Sequence, residues 1–132
     1  MPLVRIDLPA TTPANQVASI SDIVHQAMVT TFNVPADDRF QTITRRADDE
    51  LVCTPQFLDV PHSRQVVFVQ IICAPGRSLE MKRALYAAIA REVAAATDIG
   101  INDIIINLVE TARENWSFGQ GLAHYAPVDP KI

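Results

Sequence analysis

The sequence predicts an α+β chain: two β-α-β repeats forming a four-stranded mixed sheet with two helices on one face. Three observations lead there. Apolar residues recur at helical spacing twice, as Ile20, Val24 and Met28 and again as Leu85, Ile89 and Val93. Each stripe stands between two runs rich in β-branched residues. The halves also match at one fixed offset, with Val34-Pro35-Ala36-Asp37-Asp38 opposite Ile99-Gly100-Ile101-Asn102-Asp103, which reads as an internal duplication. The 132 residues suffice for one domain that needs no staples. Its expected parts are repeat one (about 2–46), a linker (47–64), repeat two (about 65–118) and a C-terminal tail (119–132).

Residues 2–8 alternate as a strand with no lead-in, and proline is tolerated at a first strand position. Thr12 and Pro13 suit an N-cap and first helical position for a helix over about 13–32. Asn33 can close that helix in a left-handed conformation, and Pro35 cannot continue it. Asp38 opens the next expected strand, 38–45, with Phe40 and Thr42 on one face and Arg39, Gln41 and Ile43 on the other. Residues 46–64 are polar and irregular, with room for short extended pieces at 51–53 and 56–58. Val66 to Ile72 is almost continuously apolar, the mark of a strand buried on both faces, so an oligomer is expected to cover the second face. Pro75-Gly76 breaks that strand, Ser78 opens a helix over about 78–97, and Gly100 stops it. The last strand is read at 103–110, before a tail holding Trp116-Ser117-Phe118-Gly119.

Composition narrows the function. A net charge of −4 leaves no footprint for nucleic acid or an anionic membrane. No apolar stretch is long enough to span a bilayer, and no basic-then-apolar leader is evident. Cys53 and Cys73 lack metal-type spacing and read as reduced thiols of a cytoplasmic protein. His25, His62 and His124 lack ligand spacing, so no metal is expected.

The chemistry is read from the ends of strands. Removal of Met1 leaves Pro2 with a free secondary amine, held in direction by its ring and by the strand behind it. If a twofold relation pairs strands 2–8 and 66–73 antiparallel, that amine lies near Ala74-Pro75-Gly76-Arg77. Arg77 then sits at a helix N-terminus, a good carboxylate receptor, and Asp38 reaches the same rim.

These residues resemble the tautomerase superfamily, most closely the branch containing malonate semialdehyde decarboxylase. The resemblance rests on Met1-Pro2-Leu3, on Phe32 through Thr42 with its Asp-Arg-Phe-Gln segment, on Pro75 through Lys82, and on Asn107 through Glu110 with Trp116-Ser117-Phe118-Gly119. It implies β-α-β repeats, a homotrimer and catalysis by Pro2. The decarboxylase's catalytic aspartate falls on Asp38, and one of its two arginines falls on Arg77. Ala74 replaces the other, and Gly76 lengthens the loop by one residue.

The expected activity is a cofactor-independent tautomerisation of a small 2-oxo acid. A neutral Pro2 is the general base, Arg77 holds the substrate carboxylate, and Trp116 and Phe118 form an apolar wall. The alternative keeps Pro2 protonated, to decarboxylate a 3-oxo acid or hydrate an unsaturated one; a Schiff base is a further option for the amine. A non-catalytic trimeric binding protein is the reading of another class. Arg39, Arg45 and Arg46 are read as solvated or interfacial, and Tyr125 receives no role.

Overall fold

A computed structural model describes residues 1–127; the final part of the expected tail, 128–132, lies outside the described residues. The chain runs β1 (Leu3–Pro9), α1 (Ala14–Phe32), β2 (Phe40–Arg46), β3 (Gln56–Phe57), β4 (Val60–Pro61), β5 (Val67–Cys73), α2 (Leu79–Ala96) and β6 (Ile104–Glu110). Strands β2-β1-β5-β6 form one four-stranded sheet, and β3-β4 is a separate hairpin. The outer pairs β1/β2 and β5/β6 are parallel, as a helical crossover requires. The central pair β1/β5 is antiparallel, with Leu3 opposite Ile72 and Asp7 opposite Phe68. The start of β1 therefore meets the end of β5, as the twofold reading expected.

One face of the sheet carries the core. Val4, Ile6 and Leu8 of β1 and Val67, Val69 and Ile71 of β5 pack with Ile20, Val24 and Met28 of α1 and Leu85, Ile89 and Val93 of α2. Burying one such side chain contributes about 1.5–3 kcal/mol, so both helical stripes hold the helices on the sheet. Among the described residues no helix is long and apolar enough to cross a membrane.

Within the single chain β5 buries Val67, Val69, Ile71 and Cys73 on the core face and leaves Phe68, Gln70 and Ile72 partly covered on the other, the face expected to meet another subunit. Several local expectations are corrected. Thr12 does not cap α1. Its hydroxyl donates to the Pro9 carbonyl at 2.7 Å, and Pro13 occupies the N-cap. Asn33 does close α1 in the left-handed region, at φ 57°, and Ser78 caps α2 by accepting from the Met81 amide. Gly100 does not stop α2. The helix ends at Thr97, whose hydroxyl donates to the Val93 carbonyl, and Gly100 has an ordinary φ of −73°. Residues 51–53 form no strand, whereas 56–57 pairs with 60–61 in a hairpin. Asp103 precedes β6 and is buried; its carboxylate accepts from the Ser63 amide and hydroxyl at 2.7 and 2.6 Å, pinning the linker's end.

Candidate active site

The antiparallel β1/β5 pairing and the parallel β5/β6 pairing bring three chain ends to one rim: the head of β1, the exit of β5 and the exit of β6. A cavity of about 200 Å³ opens there, lined by Met1, Asn33, Val34, Pro35, Asp38, Ala74, Arg77, Arg113 and Tyr125. Asp38 does not open β2 as expected. It closes a turn in which its amide donates to the Pro35 carbonyl at 3.0 Å, two residues ahead of the strand. Strand geometry would have fixed its direction by alternation; the turn instead aims it at the head of β1. There its Oδ2 accepts from the Met1 terminal amine. Its Oδ1 is buried and has no hydrogen-bond partner among the described residues.

Arg77 stands just before the Ser78 cap of α2. Gly76 makes this possible, because its φ of +117° lies where L side chains are strained. The Arg77 guanidinium donates to the Ala74 carbonyl at 3.2 Å and the Phe32 carbonyl at 3.3 Å. It also lies 5.1 Å from the centroid of the Phe32 ring. Neutral carbonyls and a π-face hold the group without cancelling its charge. Among the described residues Arg77 joins no ion pair.

Asp38 and Arg77 thus line one cavity; Pro2 is buried and does not line it, whereas Met1, bonded to its nitrogen, does. Trp116 and Phe118 do not line this cavity in the single chain. Their rings stack at 5.5 Å and 4°, and Phe118 packs against Phe40 of β2 at 5.6 Å and edge-on to Tyr125 at 5.2 Å. Tyr125 carries the aromatic surface to the cavity. The arginines read as solvated do pair at the surface: Arg39 with Asp22 at 2.7 Å and Arg46 with Asp7 at 2.9 Å.

The sequence reading missed Arg113 and Tyr125. The available signal, for Arg113 alone, was register. A parallel β5/β6 pair ends on one side, with Cys73 opposite Glu110 and the Thr111 amide donating to the Cys73 carbonyl at 2.8 Å. Residues shortly after 110 must therefore fall beside Ala74. Cys73, buried at the same rim, has its thiol pushed above its ordinary value of 9.0, chiefly by burial, with the Arg77 cation pulling the other way. Among the described residues no group of three or more His, Cys, Asp or Glu is placed to hold a metal.

Two tautomerase enzyme family models match the chain, one over residues 38–119 and the other over 2–55. The probable tautomerase YusQ of Bacillus subtilis (strain 168) is 32% identical over 93% of this chain and 97% of its own. The solved structure of the FG41 malonate semialdehyde decarboxylase inhibited by 3-bromopropiolate is 34% identical, with a TM-score of 0.86 over 93% of both chains. A second malonate semialdehyde decarboxylase, solved to explain its decarboxylase and hydratase activities, is 35% identical with a TM-score of 0.84 over 92% of this chain and 94% of its own. Native fused 4-OT, at 18% identity and a TM-score of 0.76 over 92% and 96%, shares the fold. These matches set aside the non-catalytic reading: the chain belongs to the tautomerase family of enzymes.

Proposed function

We propose that the chain, once Met1 is removed, decarboxylates a small 3-oxo acid and hydrates a small unsaturated acid, with a protonated Pro2 as the acid. The observation that carries this reading is the Asp38 carboxylate at the head of β1. A carboxylate beside an amine favours the ammonium form, which is the form that polarises a carbonyl. The likeness to two malonate semialdehyde decarboxylases over nearly the whole chain supports the same choice.

In decarboxylation Arg77 holds the substrate carboxylate, and the Pro2 ammonium donates to the 3-oxo oxygen. The bond between C1 and C2 breaks, its electron pair forms the enol, carbon dioxide leaves, and a proton returned to C2 restores the carbonyl compound. In hydration Asp38 takes a proton from water, the hydroxyl adds at C3, and Pro2 delivers a proton to C2. No electron acceptor and no cofactor enters either step.

A second reading is enol–keto isomerisation of a 2-oxo acid by neutral Pro2. The Arg77 and Arg113 cations around the same cavity favour it, because they oppose a further positive charge. We also propose a homotrimer: Phe68 and Ile72 are only partly covered on the open sheet face, and Leu58 is 83% exposed on the β3–β4 hairpin. Two free thiols, Cys53 and Cys73, support a reducing, cytoplasmic setting.

The deciding experiment uses protein whose processed N-terminus has been verified by mass spectrometry. Carbon dioxide release from 3-oxopropanoate, lost in Pro2→Ala and Arg77→Ala, supports the first reading. Consumption of an enol without carbon dioxide release from the 3-oxo acid replaces it with the second.

A further inference from the structure

Two turns that match in the internal duplication are held in different ways. In each repeat the helix is followed by a turn that ends in an aspartate. The Asp38 amide donates to the Pro35 carbonyl, and the Asp103 amide to the Gly100 carbonyl, both at 3.0 Å. In the second repeat the aspartate is fixed through its own side chain: Asp103 Oδ1 and Oδ2 accept from the Ser63 amide and hydroxyl at 2.7 and 2.6 Å. In the first, Asp38 Oδ1 has no partner among the described residues. A carboxylate whose oxygens are kept for reacting atoms has to be held through its backbone instead.

That hold comes from α1. His25 is 6% exposed, and its Nε2 lies 2.8 Å from the Ala36 carbonyl, inside the turn. A carbonyl only accepts, so Nε2 carries the proton and the neutral ring leaves Nδ1 bare. Nδ1 is buried with no hydrogen-bond partner among the described residues. One helical turn earlier, Ser21 grips the other side of Asp38. Its hydroxyl accepts from Arg39 at 2.7 Å and donates to Gln41, whose side-chain amide donates to the Ser21 carbonyl at 3.1 Å. Asp38 lies between the two grips.

The fold itself does not require the imidazole. In the second repeat Ala90 stands where His25 stands in the first, as Ile89 stands for Val24 and Val93 for Met28. A methyl group donates no hydrogen bond, and the Gly100–Asp103 turn closes without one. Burying a bare ring nitrogen costs free energy that an apolar side chain would not. The ring is therefore a poor choice for packing and a good one for aiming a donor at a carbonyl.

We infer that His25 is a positioning residue: its Nε2–H holds the Ala36 carbonyl and, through the turn, sets the direction of the Asp38 carboxylate. The part played by Asp38 rests on the reaction proposed above; the hold on the turn does not.

The test uses the processed full chain, His25→Leu, which removes the donor at similar volume, and His25→Gln, whose side-chain amide can restore it. Nitrogen-15 NMR of the unaltered protein should show a protonated Nε2; a ring protonated on Nδ1 alone overturns the inference. Exchange of the Asp38 amide is expected to quicken about tenfold in His25→Leu, the scale of one lost hydrogen bond. The amides of β1 should not change, and His25→Gln should recover the Asp38 protection. On the activity the protein displays, His25→Leu is expected to lower kcat about tenfold or more, with KM within about twofold. It should add less than about twofold to the loss in Asp38→Asn. An additive loss, or exchange that quickens across the whole sheet, gives His25 a packing role only and overturns the inference. The ring and exchange measurements need no turnover, so protein inert toward 3-oxo acids still decides the hold on the turn. An active decarboxylase whose Asp38 amide is unmoved in His25→Leu refutes the hold and leaves the reaction standing.

Discussion

Met1 and Asp38, 37 positions apart in sequence, form an ion pair at the rim of the sheet: the terminal amine donates to Asp38 Oδ2. The contact depends on two features of the fold. The turn at Pro35–Asp38 swings the carboxylate out of the strand direction, and the parallel β1/β2 register sets Leu3 beside Phe40. A carboxylate so placed faces the first residue of the chain, and after processing that residue is Pro2.

Asp38→Asn in processed protein is expected to lower kcat by about 100-fold or more, the usual scale for loss of a positioned acid–base group. The fold should persist, since asparagine keeps the shape and Asp38 is outside the apolar core. Steady-state kinetics with a melting curve checks both parts. An unchanged kcat removes Asp38 from the reaction.

Retention of Met1 is expected to abolish turnover, because the Pro2 nitrogen is then an amide with no proton to exchange. The same block should protect Pro2 from 3-bromopropiolate, the inhibitor of the similar FG41 decarboxylase. Peptide mass spectrometry should find adducts on Pro2 only in processed protein. Labelling elsewhere, with activity retained in the Met1 form, removes Pro2 as the acid.

Much of this was legible in the sequence. The stripes Ile20-Val24-Met28 and Leu85-Ile89-Val93 fixed both helices, because only one face of a helix can serve a single-sided core. Pro2, Asp38 and Arg77 were placed on one rim by the antiparallel pairing of the two repeats. Features set by local turn geometry were not legible. Asp38 reads as strand because Phe40 and Thr42 continue its alternation, and Thr12 reads as a cap because the pattern does not show that its hydroxyl closes the local turn onto the Pro9 carbonyl instead. Arg113 and Tyr125 were missed because neither belongs to a periodic element. The register of β6 against β5 brings Arg113 to the cavity, and Tyr125 joins it through its ring contacts with Phe118 and the Arg113 guanidinium.

Cys73 offers a pH test. Burial holds its thiol above the ordinary 9.0. The neutral thiol is therefore the form the fold favours, and its contribution to stability is fully present below about pH 9. As pH rises past that value the unfolded chain ionises first, and stability falls. Urea midpoints at pH 7 and pH 10 should drop further for the unaltered protein than for Cys73→Ala. Equal drops remove Cys73 as the source. In native protein at pH 7, a thiol reagent should modify the partly exposed Cys53 and spare Cys73.

Ile89→Ala tests the core. Ile89 is fully buried between α2 and the sheet, so its truncation should cost about 2–5 kcal/mol in denaturant unfolding. Leu58→Asn should behave oppositely. Leu58 and Asp59 both have positive φ, at 48° and 63°, in the tight turn between β3 and β4. Asparagine suits that conformation better than leucine, so the single-chain stability should rise slightly. Loss of assembly mass by light scattering in the same variant would assign the exposed Leu58 to a contact between subunits.

The rim on which β1 begins is finished by residues that follow β6, from Arg113 to Tyr125. Chains cut after Glu110 should therefore still assemble the central sheet yet expose a bare amine with no outer wall. The two halves of the molecule thus divide the work, the first repeat supplying the amine and the stretch after the second repeat's last strand supplying the shelter around it.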